Sequence, residues 1–287
     1  MNTFETNVIA IYGDLGKAWL SDLKNQVDAL SVTWGLSQLK PADDLSHHYV
    51  LSGFRESQPI ILKLGPDING LEQEAAALKS FSGFGSVGVL AKDQGALLLE
   101  RAVPGTPLRS YFPSRDSEAT EIVCGVIKKL HQASPPEKGT FPHSRDWLLA
   151  LDQNLDIPAP LLERARTLRD RLLETSSPDI LLHGDLHHGN ILQDKNGWVV
   201  IDPKGVMGDP AYEVAAFIRN PIPELLDSEN YPRIIENRIK IFSRRLGFDE
   251  ERIQDWCFVQ NVLAWAWCLE DGVTAFQYTD LSRLSLC

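Results

Sequence analysis

The stretch His183-Gly184-Asp185-Leu186-His187-His188-Gly189-Asn190-Ile191-Leu192, followed after a turn by Val199-Val200-Ile201-Asp202-Pro203-Lys204, carries the densest chemistry in the chain. Ile180-Leu-Leu, Ile191-Leu-Gln and Trp198-Val-Val-Ile read as short strands, a β-like island with polar loops between them. Asp185 and Asn190 then stand five apart in a loop between strands, and Asp202 ends the next strand. In phosphoryl transfer that spacing has a mechanical meaning. One carboxylate accepts or orients the proton of an attacking hydroxyl, while an amide oxygen and a second carboxylate hold magnesium on nucleotide phosphates. Magnesium is a hard cation that takes oxygen ligands, one or two of them from protein. The competing reading of the loop is a zinc site from His183, Asp185 and His187. It leaves the spacing of Asn190 and Asp202 unused.

Working outward, Glu118 to Gln132 and Pro160 to Glu174 carry helical periodicity, separated by a Pro- and Gly-bearing loop from Ser134 to Pro142. The breaker cluster Pro104-Gly105-Thr106-Pro107 marks a change of character. Before it, Tyr49-Val-Leu-Ser and Ile60-Ile-Leu-Lys-Leu read as a hairpin joined by a long polar turn, Gly53 to Pro59. Leu71 to Phe81 and Ala18 to Trp34 read as helices, and Gly95 to Glu100 as a further strand. The plan is α+β: a strand-rich lobe over residues 1–102, a hinge near Val103 to Pro107, and a mainly helical lobe with one small inserted sheet over 103–287.

The chain has 287 residues, and 39 acidic against 28 basic side chains give a net charge of −11. So acidic a balance argues against nucleic acid and anionic membrane as partners, because both need a surplus of Lys and Arg. It leaves cationic small molecules open. Cys124, Cys257, Cys268 and Cys287 lie far apart, which gives neither zinc-ligand spacing nor a disulfide framework, so reduced thiols are expected. The most apolar run, Trp256 to Leu269, is too short for a membrane span and contains Gln260 and Asn261. With no secretory signal at the N-terminus, a cytoplasmic enzyme is expected, acting as a monomer or weak dimer.

HGDLHHGNIL (183–192), VIDPKG (200–205) and Gly208-Asp-Pro-Ala-Tyr-Glu-Val-Ala215 together resemble the catalytic and metal-binding signature of the aminoglycoside phosphotransferases, relatives of the protein kinases. The resemblance implies a bilobal protein-kinase-like fold, ATP and Mg2+ as cofactors, Asp185 as catalytic base, and Asn190 and Asp202 as magnesium ligands. Asp209 would brace the loop from behind, and His183 would pack or hydrogen-bond it. A kinase of this kind also needs a strand lysine reaching the phosphates and held by a helix glutamate. Lys63 fits, with Glu74 as its partner by resemblance and Glu72 as the fallback. The competing reading makes Lys63 an edge-strand side chain facing water. Adenine would meet the backbone of Leu99-Glu100-Arg101-Ala102. No glycine-rich loop covers the phosphates: Pro41 to Tyr49 contains no glycine, and Asp43 and Asp44 would repel a phosphate that Ser46 approached. A protein kinase is disfavoured, since the loop lacks HRD and no segment ends in APE.

For the acceptor, the run Asn261 to Gly272 places Trp265 and Trp267 just before Glu270 and Asp271. Tryptophan faces followed by two carboxylates suit a polar ring with ammonium or guanidinium groups. A Trp-rich stretch at helical spacing is as readily core. The segment Tyr12 to Trp19, the Trp-rich run and Glu270-Asp271 resemble the streptomycin kinase and hydroxyurea-resistance kinase branch, which implies a streptomycin-like acceptor, with Trp265, Glu270 and Asp271 as substrate contacts. Two alternatives stand beside it: a metabolic kinase for an amino alcohol, sugar or fructosamine-like substrate, and a catalytically silent nucleotide-binding module.

Overall fold

The computed structural model describes residues 3–43, 45–134, 136–176 and 178–270. These cluster into two compact units: residues up to Ser82 with Val87–Val103, and Gly83–Ser86 with residues from Pro104 on.

The first unit opens with α1 (Thr3–Trp34), which runs past the expected start at Ala18 through a break at Gly13 (φ 57°, ψ −129°). Glycine alone adopts such a backbone cheaply, so the chain breaks at Gly13 and resumes the helix beyond it. Then follow β1 (Leu36–Pro41), β2 (Tyr49–Arg55), β3 (Gln58–Leu64), α2 (Ile68–Ser80), β4 (Val89–Asp93) and β5 (Ala96–Glu100). The strands form one antiparallel sheet in the order β1-β2-β3-β5-β4. The expected long turn is in fact tight: β2 and β3 continue to Arg55 and Gln58, leaving Glu56 (φ 55°) and Ser57 as a two-residue connection. β1 and β4 are the edge strands that hydrophobic alternation did not disclose: β1 is largely exposed, and β4 is half-buried at Val89–Ala91 and exposed at Lys92 and Asp93, with no alternation. One face of the sheet buries Leu51, Ile60, Leu62, Leu64, Ala96 and Leu98 against Phe4, Val8, Trp19 and Leu30 of α1. Residues one register step away, Lys63 with its cross-strand partner Leu97, lie on the opposite face.

The second unit contains α3 (Asp116–Leu130), α4 (Ser144–Leu148), α5 (Ala159–Glu174), β6 (Ile180–Leu182), β7 (Ile191–Asp194), β8 (Gly197–Val200), β9 (Val206–Gly208), α6 (Ala215–Ile218), α7 (Glu224–Asp227), α8 (Tyr231–Leu246) and α9 (Glu250–Glu270). The island is two ribbons rather than one sheet: β7 pairs with β8, and β6 with the unforeseen β9. Helix α9 begins with an exposed, charged turn and enters the core from Trp256 to Ala266, with Trp256 fully buried among Leu148, Leu151, Leu162, Leu172 and Tyr212. No helix among the described residues is long and apolar enough to cross a membrane. Cys124 and Cys257 are free thiols, and burial pushes both up to about 12.

Candidate active site

In the first unit, Lys63 is 3% exposed on β3, the central strand, which removes the edge-strand reading. Its Nζ donates to Glu74 Oε2 at 2.6 Å, and Glu74 is equally buried on the inward face of α2. A lysine buried at this depth requires such a partner. Glu72, two positions along the helix, is exposed and pairs with Lys92 instead. Glu100 ends β5, where its N–H donates to Gly88 O and its carboxylate accepts from Gly88 N, both at 2.9 Å. Ala102 is buried just beyond. The glycine-free connection between β1 and β2 is tied back: Ser46 O accepts from Asn7 Nδ2 of α1, and the His48 ring closes on Gly65. Asp44 lies outside the described residues.

In the second unit, two loops run side by side, residues 183–190 from β6 to β7 and 201–205 from β8 to β9. Backbone bonds stitch them together. Lys204 N–H donates to His183 O (2.8 Å), and Ile201 N–H to Asn190 O (3.1 Å), which puts Asp202 one residue from a direct tie to Asn190. Asn190 also spends its Nδ2 on Asp185 O (2.9 Å), which orients the amide and leaves its oxygen as the acceptor atom. Asp202 holds a left-handed backbone (φ 57°), uncommon for any residue but glycine, asparagine or aspartate.

His183 is wholly buried, and both ring nitrogens are engaged: Nε2 with Ile201 O (2.8 Å) and Nδ1 with the N–H of Asp185 (3.3 Å). The carbonyl can only accept, so the proton is on Nε2. With both nitrogens spent, His183 cannot join a zinc site, and no group of three His, Cys, Asp or Glu among the described residues is placed to hold a metal. His187 accepts the Gly189 N–H on Nδ1 (3.0 Å) and holds Nε2 4.0 Å from Asp185 Oδ2. Burial lowers the pKa of His187, with Asp185 opposing. His188 stacks on Phe217 at 3.7 Å, and burial pushes its pKa down to about 2, so it packs as a neutral ring. Asp185 itself keeps a third of its side chain exposed.

The brace behind this loop is Glu213, a residue to which the sequence analysis assigned no role. Its Oε2 accepts from His183 N (2.7 Å) and its Oε1 from Gly184 N (3.0 Å), while His131 Nε2 stands 3.8 Å away, an ion-pair rather than a hydrogen-bond distance. Burial raises its pKa, but His131, His183 and the Gly184 N–H more than offset that and hold it below the ordinary 4.5. Asp209, expected to brace the loop, serves α9 instead: its carboxylate accepts from Ala211 N (2.8 Å), Arg252 Nε (2.7 Å) and Trp256 Nε1 (3.0 Å). The signal for Glu213 was its burial, which a loop-like context in the sequence hid.

Of the expected acceptor contacts, Trp265 is 8% exposed and belongs to the core, so the core reading holds for it. Trp267 lies part-buried at the core margin, edge-on to Trp147 of α4 at 5.9 Å. Glu270 is exposed at the last position of α9, and Asp271 lies outside the described residues.

A model of the aminoglycoside/hydroxyurea antibiotic resistance kinases matches residues 34–272. A streptomycin 3''-kinase of Klebsiella pneumoniae is 31% identical over 82% of this chain and 90% of its own. A hydroxyurea phosphotransferase of Kitasatospora aureofaciens is 30% identical over 92% of this chain and 78% of its own. Among solved structures, an amicoumacin kinase in complex with AMP-PNP, Ca2+ and Ami superposes with a TM-score of 0.67 at 15% identity, covering 94% of each chain. The fold is therefore the α+β, protein-kinase-like one that the motifs imply.

Proposed function

The chain belongs to the aminoglycoside/hydroxyurea antibiotic resistance kinases, small-molecule phosphotransferases, and we propose that it transfers the γ-phosphoryl group of ATP to a hydroxyl of a small cationic molecule of the streptomycin type. The observation that carries the reading is the construction around Asp185: a part-exposed carboxylate on a loop whose backbone is held by buried Glu213 and His183. Rigid positioning of this kind supplies most of the catalysis in phosphoryl transfer.

Asp185 accepts or orients the proton of the attacking hydroxyl. The donor set beside it fits magnesium, since Asn190 and Asp202 offer an amide oxygen and a carboxylate to a hard cation, and the Ile201 tie brings their backbones together. When bound, the cation neutralises charge on the phosphoryl oxygens. Lys63, held by Glu74, positions the nucleotide phosphates, and the backbone from Glu100 to Ala102 meets the adenine. The streptomycin and hydroxyurea kinases named above support a nitrogen-rich acceptor, as does the net charge of −11.

The test is ATP-dependent phosphorylation across streptomycin, other aminoglycosides, hydroxyurea, amino alcohols and neutral sugars, with mass spectrometry locating the phosphate. Turnover with a guanidinium- or ammonium-bearing alcohol, lost in Asp185→Asn, is the expected result. Turnover with neutral sugars alone, or an Asp185→Asn enzyme close to wild type, overturns it.

A further inference from the structure

Resting on that reading, we propose that Trp147 and Trp267 form an aromatic wall that receives the cationic group of the acceptor beside Asp185. Trp147 packs against the catalytic loop at Gly184. Gly184 has φ +83°, and a Cβ built on it would stand 3.0 Å from Trp147 Cη2, so the indole covers the residue that immediately precedes the base. Its ring meets Trp267 edge-on (5.9 Å, 78°) and Tyr212 at a tilt (6.5 Å, 56°). Two helices distant in sequence thus deliver indoles to one place, with Trp147 against Gly184, the neighbour of Asp185, and Trp267 against Trp147.

Burial separates this pair from the structural tryptophans of the same helix. Trp256 is fully buried and Trp265 8% exposed, whereas Trp147 and Trp267 are part-buried at the margin of that core. Trp267 is two residues beyond Trp265, about 200° further round α9, and Glu270 is three beyond Trp267, on the neighbouring position of the same helix face. An indole presents the most negative π face of any side chain and binds a guanidinium or ammonium group against it, and an exposed carboxylate at the rim adds charge-assisted hydrogen bonds. The class of ligand is an organic cation carrying the hydroxyl to be phosphorylated.

The test compares Trp267→Leu, Trp267→Phe and Trp147→Leu with the wild-type enzyme, using saturating ATP and streptomycin as acceptor. Loss of a desolvated cation–π contact corresponds to a rise of about tenfold in acceptor KM. That rise is expected in both Leu variants, with kcat and the KM for ATP within about twofold in Trp267→Leu, whereas Trp147→Leu, which also removes packing from Gly184, lowers kcat as well; Trp267→Phe, which keeps an aromatic face, stays within about threefold. An unchanged acceptor KM in a folded Trp267→Leu enzyme overturns the proposal. Should a Leu variant fail to fold, indole fluorescence decides: streptomycin without nucleotide is expected to change wild-type emission and to change that of Trp267→Phe measurably less, and identical responses overturn the wall. A wild-type enzyme that phosphorylates uncharged alcohols alone refutes the acceptor reading itself. A wild type active on streptomycin with insensitive tryptophan variants refutes the wall and leaves that reading standing.

Discussion

Replacing Glu213 by Gln probes the loop's support without altering its shape. The carboxylate accepts two buried backbone N–H groups, from His183 and Gly184, and hydrogen bonds to a charged group contribute about 1.5–3 kcal/mol each. The amide retains one oxygen, so one bond weakens and the other is replaced by an N–H facing an N–H. The net loss is about 3 kcal/mol, and at about 2–4 °C per kcal/mol the melting temperature of the second unit falls by roughly 10 °C. Because Asp185 is the next residue along, kcat should fall by about 10- to 100-fold, the scale set by displacing a reactive group by about 1 Å. Acid provides a second handle. The folded carboxyl has a pKa below the ordinary 4.5, so the folded state binds fewer protons than the unfolded one. Its stabilisation is fully present above the unfolded pKa and fades as pH falls through the folded value. The stability gap between wild type and Glu213→Gln should therefore narrow below about pH 4.5. Thermal melts followed by near-UV circular dichroism from pH 3 to 7, with steady-state kinetics at neutral pH, measure both. A variant melting within about 2 °C of wild type with kcat within twofold would show that the loop does not depend on this carboxylate.

Three further outcomes follow from the geometry. Glu74→Ala leaves Lys63 buried without its carboxylate and should destabilise the first unit by about 3–5 kcal/mol in urea titrations, whereas Lys63→Met combined with Glu74→Leu should recover most of that stability and remain inactive. Gly184→Ala meets both the positive φ and the walls set by Trp147 and Val206, so about 2 kcal/mol of stability and most of the turnover should be lost together. Arg252→Ala removes the cation from buried Asp209 and should loosen the start of α9, read as faster amide exchange there.

Legibility in the sequence tracked local pattern. Helices α2, α3 and α5 were visible because their apolar spacing repeats every three or four residues. β1, β4 and β9 were not: the first two are edge strands whose burial does not alternate, and β9 is a three-residue strand whose partner is β6, twenty-four or more residues away. Asp185, Asn190 and Asp202 stood out because their types and intervals carry chemistry by themselves. Glu213 did not, because its worth lies in two backbone donors contributed from thirty residues upstream. Trp265 and Trp267 differ in no local property. The direction each faces on α9 distinguishes them, and it is set by packing against α4 and α5.

The clamp of Asp209 on Arg252 and Trp256 grips α9 near its beginning, and Gln260 Nε2 adds a bond to Tyr212 O partway along. Trp267 lies fifteen residues beyond Arg252, about 22 Å along the helix axis. The helix is thus fixed by polar bonds where it adjoins the signature segment and held at its far end by side-chain packing, including Trp267 against Trp147. On the proposed aromatic wall, substitutions at the tip would change which molecule is accepted while the anchored start of the helix, and the signature segment it adjoins, keep their alignment.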